Sequence, residues 1–209
     1  MKLYDFAPAP SPRRVRIFLA EKGVTVPTVQ VDLRSGEHLG EAFRKINPWC
    51  TVPALELDDG TTISESIAIC CYLEAAFPEP PLMGRTPMEK GVIAMWEHWA
   101  EMDGFFAAAE AFRNSTPGMR GRALTGAANV DQIPELVERG RARTERFYQA
   151  LNDRLAESEF IAGPEYTVAD ITAMITVDFA GWMKLVPGED QVHLKRWHAA
   201  VSSRPSAKA

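Results

Sequence analysis

Apolar and polar positions follow two different regimes along the chain. In the first third the pattern keeps changing type. "KLYDF" (2–6) predicts a short strand. The breakers of "APAPSP" follow, and "RRVRIFLAEKG" (13–23) then sets Val15, Phe18 and Leu19 on one helical face, with Gly23 ending it. "PTVQVDL" (27–33), rich in β-branched residues, predicts a second strand, and "HLGEAFRKIN" (38–47) a short helix. "VPALEL" and "TTIS" read as strands joined by the tight turn "DDG". "SESIAICCYLEAAF" (64–77) predicts a helix with Ser64 as its N-cap. The predicted order is βαβαββα.

"PEPPLMGRT" (78–86) concentrates helix breakers and reads as a linker. Beyond it every periodic stretch is helical: 87–114, 133–158, 167–185 and 189–205. The third of these is so apolar that it belongs at the centre of a bundle. The pattern therefore predicts an α/β domain over 1–77, a linker over 78–86 and an all-helical domain over 87–209. No internal repeat or low-complexity segment is present.

A chain of 209 residues can bury one large core or two smaller ones. Hydrophobic residues at 46% and charged residues at 24% are those of a globular protein. A net charge of -5 gives no field that favours nucleic acid or an anionic membrane. The run Arg13-Arg14-x-Arg16 is interleaved with apolar residues and reads as one helix face. No apolar stretch approaches the ~20 residues that span a bilayer. "MKLYDFAPAP" lacks the apolar core of a signal peptide, so a cytoplasmic location is expected. The 3 cysteines argue against a disulfide scaffold, and the 4 histidines show no ligand spacing with them, so no metal is expected.

Three segments carry candidate chemistry. "NPWCTVPAL" (47–55) sets Cys50 ahead of Pro53, which either turns the chain sharply or opens an edge strand. Glu65-Ser66 stand at a helix start, where a hydroxyl and amides suit a carboxylate or simply cap the helix. Thr167-Val-Ala-Asp170 is a capping box with Asp in place of Glu, a folding element.

Taken together, "GEHLGEAFRKINPWCTVPALELDDGTTISESIAICCYLE" (36–74), "GPEYTVADI" (163–171) and the ending "RPSAKA" resemble the glutathione S-transferase family, of a bacterial theta-, delta- or nu-like kind. The resemblance covers the whole chain. It implies a thioredoxin-like N-terminal domain, a helical C-terminal domain, glutathione as co-substrate and a homodimer. It implies a cis bond before Pro53 that turns the Val52 backbone outward, where the cysteinyl unit of glutathione pairs with it like an added strand. Ser66 would receive the γ-glutamyl carboxylate and Glu65 its ammonium. His38 would reach the glycine carboxylate or stay a solvated loop residue. Cys50, where delta-like members hold a histidine, would line the rim near the glycine end.

Ser11, in "PSPRRV", occupies the place of the first cysteine in the C-P-x-C motif of glutaredoxins. By that resemblance it would donate to the glutathione thiolate, unless it merely caps the helix. The chain departs from the theta and zeta pattern at Ala9, which holds no hydroxyl. Tyr4 corresponds in type, but not in position, to the tyrosine of alpha- and mu-like members. Phe105, Phe106, Phe112 and Trp99 would border an apolar co-substrate or fill the core, and Asp103 would cross a dimer interface. The implied reaction is attack of the thiolate on an alkyl or aryl electrophile. The rivals are a glutathione-dependent disulfide reductase or peroxidase of the nu-like kind, and a binding protein that has kept the fold and lost turnover.

Overall fold

A computed structural model describes all residues, 1–209. The chain forms two compact units. The first comprises Met1–Pro80 with Thr125–Ala128 and Lys208–Ala209, the second Pro81–Leu124 and Asn129–Ala207.

The first unit runs β1 (Lys2–Asp5), α1 (Pro10–Glu21), β2 (Thr28–Gln30), a single 3-10 turn (Glu37–Leu39), α2 (Glu41–Arg44), β3 (Ala54–Glu56), β4 (Thr62–Ser64) and α3 (Ser66–Ala76). This is the predicted βαβαββα order. The strands make one mixed sheet in the order β2-β1-β3-β4. β1 is parallel to β2 and antiparallel to β3, with Leu3 opposite both Thr28 and Leu55. Strand alternation sends neighbouring side chains to opposite faces. Tyr4 and Ala54 thus join Val31 and Phe43 in one cluster, and Leu3 and Leu55 are buried on the other face. This is a thioredoxin-like domain, as the family resemblance implies.

Two boundaries differ from the sequence reading. α1 begins at Pro10, three residues before Arg13, because proline has the helical φ and no amide to lose in a first turn. The N-cap of α3 is Glu65 and not Ser64, and it sits at φ 74°.

The second unit is all-helical: α4 (Pro87–Trp99), a π-helical segment (Ala100–Phe105), α5 (Phe106–Ser115), α6 (Pro134–Glu157), α7 (Val168–Gly181) and α8 (Val192–Ser202), with 3-10 turns at Pro117–Met119 and Pro205–Lys208. The single helix expected over 87–114 is thus widened in the middle into a π-helical turn. α7 is buried over nearly its whole length, as its apolar composition demands. Gly140 permits the approach of α6 to α5: a Cβ there would lie 2.7 Å from the Ala107 carbonyl oxygen and the Ala111 amide.

The start of α7 is closed by Asp170, which is 0% exposed. Its carboxylate accepts from the Ile161 amide at 3.0 Å, the Thr167 amide at 2.9 Å, the Thr167 hydroxyl at 3.1 Å and the Trp197 indole at 2.9 Å. Burial pushes this carboxyl up to about 6, while the hydrogen bonds pull against it. No helix is long and apolar enough to cross a membrane.

Candidate functional site

Three of the candidate residues, Ser11, Glu65 and Ser66, stand where α1 and α3 begin. A helix start leaves its first amides without intrahelical partners. At α1 the N-cap is Ala9, which has no capping side chain, and its amide donates to the Phe6 carbonyl at 2.8 Å. Pro10 and Pro12 have no N–H. Of the first turn, this leaves the amide and hydroxyl of Ser11, at the positive end of the helix dipole. No acidic side chain stands in that turn.

At α3 the N-cap is Glu65, again without a side-chain cap. A non-glycine residue at φ 74° is held in a sparsely populated region, and such residues gather at ligand sites. Its side chain is exposed, whereas Ser66 is only 2% exposed. The Ser66 hydroxyl donates to the Ser11 carbonyl oxygen at 3.0 Å. The two helix starts are therefore linked by a hydrogen bond between the two serines singled out in the sequence.

The loop before β3 carries further candidates. The Val52–Pro53 peptide is cis. The Val52 side chain packs inward on the Tyr4, Val31, Phe43 and Ala54 cluster. Its amide and carbonyl take no part in the backbone hydrogen bonds of turns and loops. Cys50 is 1% exposed, at φ 56°, with its sulfur 3.7 Å from the Pro48 carbonyl oxygen. His38 lies in the 3-10 turn and is buried, so it is not a solvated loop residue.

Other sequence candidates resolve as follows. Tyr4 is buried and gives its hydroxyl to Glu56 at 2.7 Å; burial first, and that bond second, hold its pKa above the usual value. It is not available to a thiol. Phe105 is buried, Phe106 is exposed and Trp99 stacks on Phe147 at 4.8 Å. Phe112 meets Phe179 and Trp182 edge-on. Asp103 pairs with Arg143 at 3.7 Å.

Sequence reasoning missed Asn47. It is buried, and its side chain donates to the Thr51 carbonyl at 2.8 Å and hydroxyl at 3.0 Å while accepting from the Trp49 amide at 3.1 Å. It fixes the turn that delivers Val52. The Asn-Pro dipeptide at 47–48 is a turn signal that could have pointed to it.

Comparison with known proteins identifies the family. Residues 9–76 match the family description "Glutathione S-transferase, N-terminal domain", and residues 100–205 match "Glutathione S-transferase, C-terminal domain". The chain is 37% identical over 210 residues to glutathione S-transferase 2 of Saccharomyces cerevisiae, covering 100% of this chain and 88% of that one. It is 27% identical over 209 residues to the disulfide-bond oxidoreductase YfcG of Escherichia coli, covering 96% and 90%. The crystal structure of a glutathione S-transferase domain-containing protein from Marinobacter aquaeolei superimposes with a TM-score of 0.92 at 42% identity, covering 99% of each chain. With both domains matched in order and the fold shared along the whole length, the chain belongs to the glutathione S-transferase family.

Proposed function

We propose that the protein is a glutathione transferase that activates the glutathione thiol at the start of α1. The observation that carries this reading is the Ser66 to Ser11 hydrogen bond, which joins two helix starts that no capping side chain closes. Glutathione lies extended. Its cysteinyl backbone pairs with Val52, beside Pro53. Its γ-glutamyl carboxylate meets Ser66 and the first-turn amides of α3, and its ammonium meets Glu65. His38 serves the glycine carboxylate, and Cys50 forms a buried wall beneath that end rather than a nucleophile. The thiol then falls at Ser11, whose hydroxyl and amide donate to the thiolate.

A free thiol has a pKa of about 8.5, and each unit of depression raises the thiolate fraction about tenfold at neutral pH. The thiolate attacks an electrophilic carbon, the carbon–sulfur bond forms and the leaving group departs with its electron pair. No enzyme nucleophile is consumed.

The similarity to the E. coli disulfide-bond oxidoreductase, together with Ala9, supports a second reading. There the same thiolate attacks a disulfide sulfur: a mixed disulfide forms, the S–S bond breaks, the other sulfur leaves as a thiolate, and a second glutathione releases the remaining thiol as oxidised glutathione forms. Turnover with chlorodinitrobenzene against turnover with hydroxyethyl disulfide, both with glutathione, separates the two. Conjugation without disulfide reduction supports the first, and the reverse supports the second. Absence of both, with glutathione bound, marks a binding protein.

The proposal includes a homodimer in the cytoplasm. Met88, Val92, Met95, Met102 and Phe106 are exposed at steps of four, three, seven and four residues along α4, through the π-helical segment and into α5. A sustained apolar stripe of this kind needs a cover, and a second copy would supply it. Sedimentation at micromolar concentration should give twice the 23.2 kDa chain mass. A monomer under those conditions would contradict it.

A further inference from the structure

The loop between β1 and α1 ends on the uncapped turn that carries Ser11, and it is held by side chains from three elements. Asp5, at the end of β1, is 1% exposed. Its carboxylate accepts from Arg16 of α1 at 2.6 Å and from the Gln30 amide group of β2 at 2.7 Å. Each of these partners then grips the same loop residue. Arg16 donates to the Ala7 carbonyl at 3.0 Å, and the Gln30 side-chain oxygen accepts from the Ala7 amide at 2.9 Å. The contacts close a ring, Asp5–Arg16–Ala7–Gln30–Asp5. The backbone of Ala7 is fixed on both sides two residues before the N-cap of α1.

We infer that Asp5, Arg16 and Gln30 form a positioning clamp for thiol activation. The inference rests on the reading that glutathione ionises at Ser11. Ser11 offers one amide and one hydroxyl, and its neighbours in the turn are prolines that can lend no donor. A site with so few donors depends on where they point, since preorganised donors act through position. The clamp sets that position without touching glutathione. The parts of the site that bind the peptide backbone and the γ-glutamyl end, Val52, Glu65 and Ser66, lie on other segments. Loosening the clamp should therefore raise the pKa of the bound thiol and spare affinity for the rest of the molecule.

Gln30 is exposed on an edge strand, so Gln30→Ala should fold, and circular dichroism checks this. Two probes separate positioning from general loosening: glutathione itself, whose bound thiolate is titrated by absorbance, and S-methylglutathione, which has no thiol to ionise. In Gln30→Ala the bound thiol pKa should rise by about half to one unit, while the Kd for S-methylglutathione stays within about twofold, as expected for loss of alignment at one donor set. Arg16→Lys, which replaces the planar fork that meets Asp5 and the Ala7 carbonyl through separate nitrogens by a single ammonium, should shift the pKa in the same direction. An unmoved thiol pKa in Gln30→Ala, or a loss of affinity for S-methylglutathione of tenfold or more, overturns the clamp alone. A thiol that is not depressed in the wild-type protein overturns both the clamp and the Ser11 reading.

Discussion

The helices of the two units begin differently. In the helical unit, side chains take up amides at the starts of α4, α7 and α8. Thr86 and Glu89 close α4, and Asp170 closes α7. Asn152 accepts from the His193 and Leu194 amides of α8, and Asn114 from the Ile133 amide before α6. In the thioredoxin-like unit, α1 and α3 have no side-chain cap at all. The same physics acts at every one of these sites: amides at the positive end of a helix need an acceptor. Where the acceptor is a residue of the chain, the helix start is a folding element. Where it is left out, as at α1 and α3, our proposal gives the start to a ligand's carboxylate or thiolate. α6 also begins without a side-chain cap, so an uncapped start marks a candidate site only together with the segments around it.

The largest effect should come from breaking a closed end. Asp170→Ala leaves several buried donors without an acceptor, each worth about 1–3 kcal/mol, so we expect a loss of at least about 3 kcal/mol by chemical denaturation. The cost should also depend on pH. A carboxyl raised to about 6 in the fold contributes stability that is fully present below its unfolded value near 4 and is lost as pH rises through about 6. The penalty of Asp170→Ala should therefore be greater at pH 5 than at pH 8. A loss under about 1 kcal/mol would mean that α7 does not depend on its cap.

Next in size is a change at an open end. Ser66→Ala removes the hydroxyl that donates to the Ser11 carbonyl and that, in our proposal, turns to the γ-glutamyl carboxylate when glutathione binds. KM for glutathione should rise about tenfold with kcat changed less than about threefold, the signature of binding shared by ground and transition states. A fall in kcat with KM unmoved would assign Ser66 to the chemical step. The smallest effect should come from closing α1. Ala9→Ser supplies an N-cap hydroxyl whose partner can only be the Ser11 amide, since Pro12 has none. Stability should increase by about 0.5–1 kcal/mol. No gain would show that the start of α1 is already satisfied within the chain.

Much of this contrast was legible in the sequence. The Thr167 to Asp170 spacing identifies a closed cap, and the "TVPAL" and "SES" segments mark the open region. Alternation and helical periodicity were sufficient for the element order, because burial faces are written directly into spacing. What stayed hidden depends on long-range placement. Nothing local says that Ser66 reaches Ser11, 55 positions away. The ring through Asp5, Arg16, Ala7 and Gln30 is equally silent, because polar residues on strand ends and helix faces look like ordinary solvated surface. The π-helical turn at Ala100–Phe105 keeps helical periodicity on both sides, so the pattern reads as one helix. Cys50 looks exposed because its neighbours are polar or aromatic, yet the turn fixed by Asn47 folds it inward.

The central claim is that the open start of α1 ionises glutathione through Ser11. It is tested most directly by titrating the thiolate absorbance of bound glutathione in the wild-type protein and in Ser11→Ala. The wild-type thiol should ionise well below the free value of about 8.5, and the variant about one to two units higher than the wild type, the worth of one hydrogen bond to a charged group. Equal pKa values in the two proteins would contradict the account and leave Ser11 as a residue of the helix start alone.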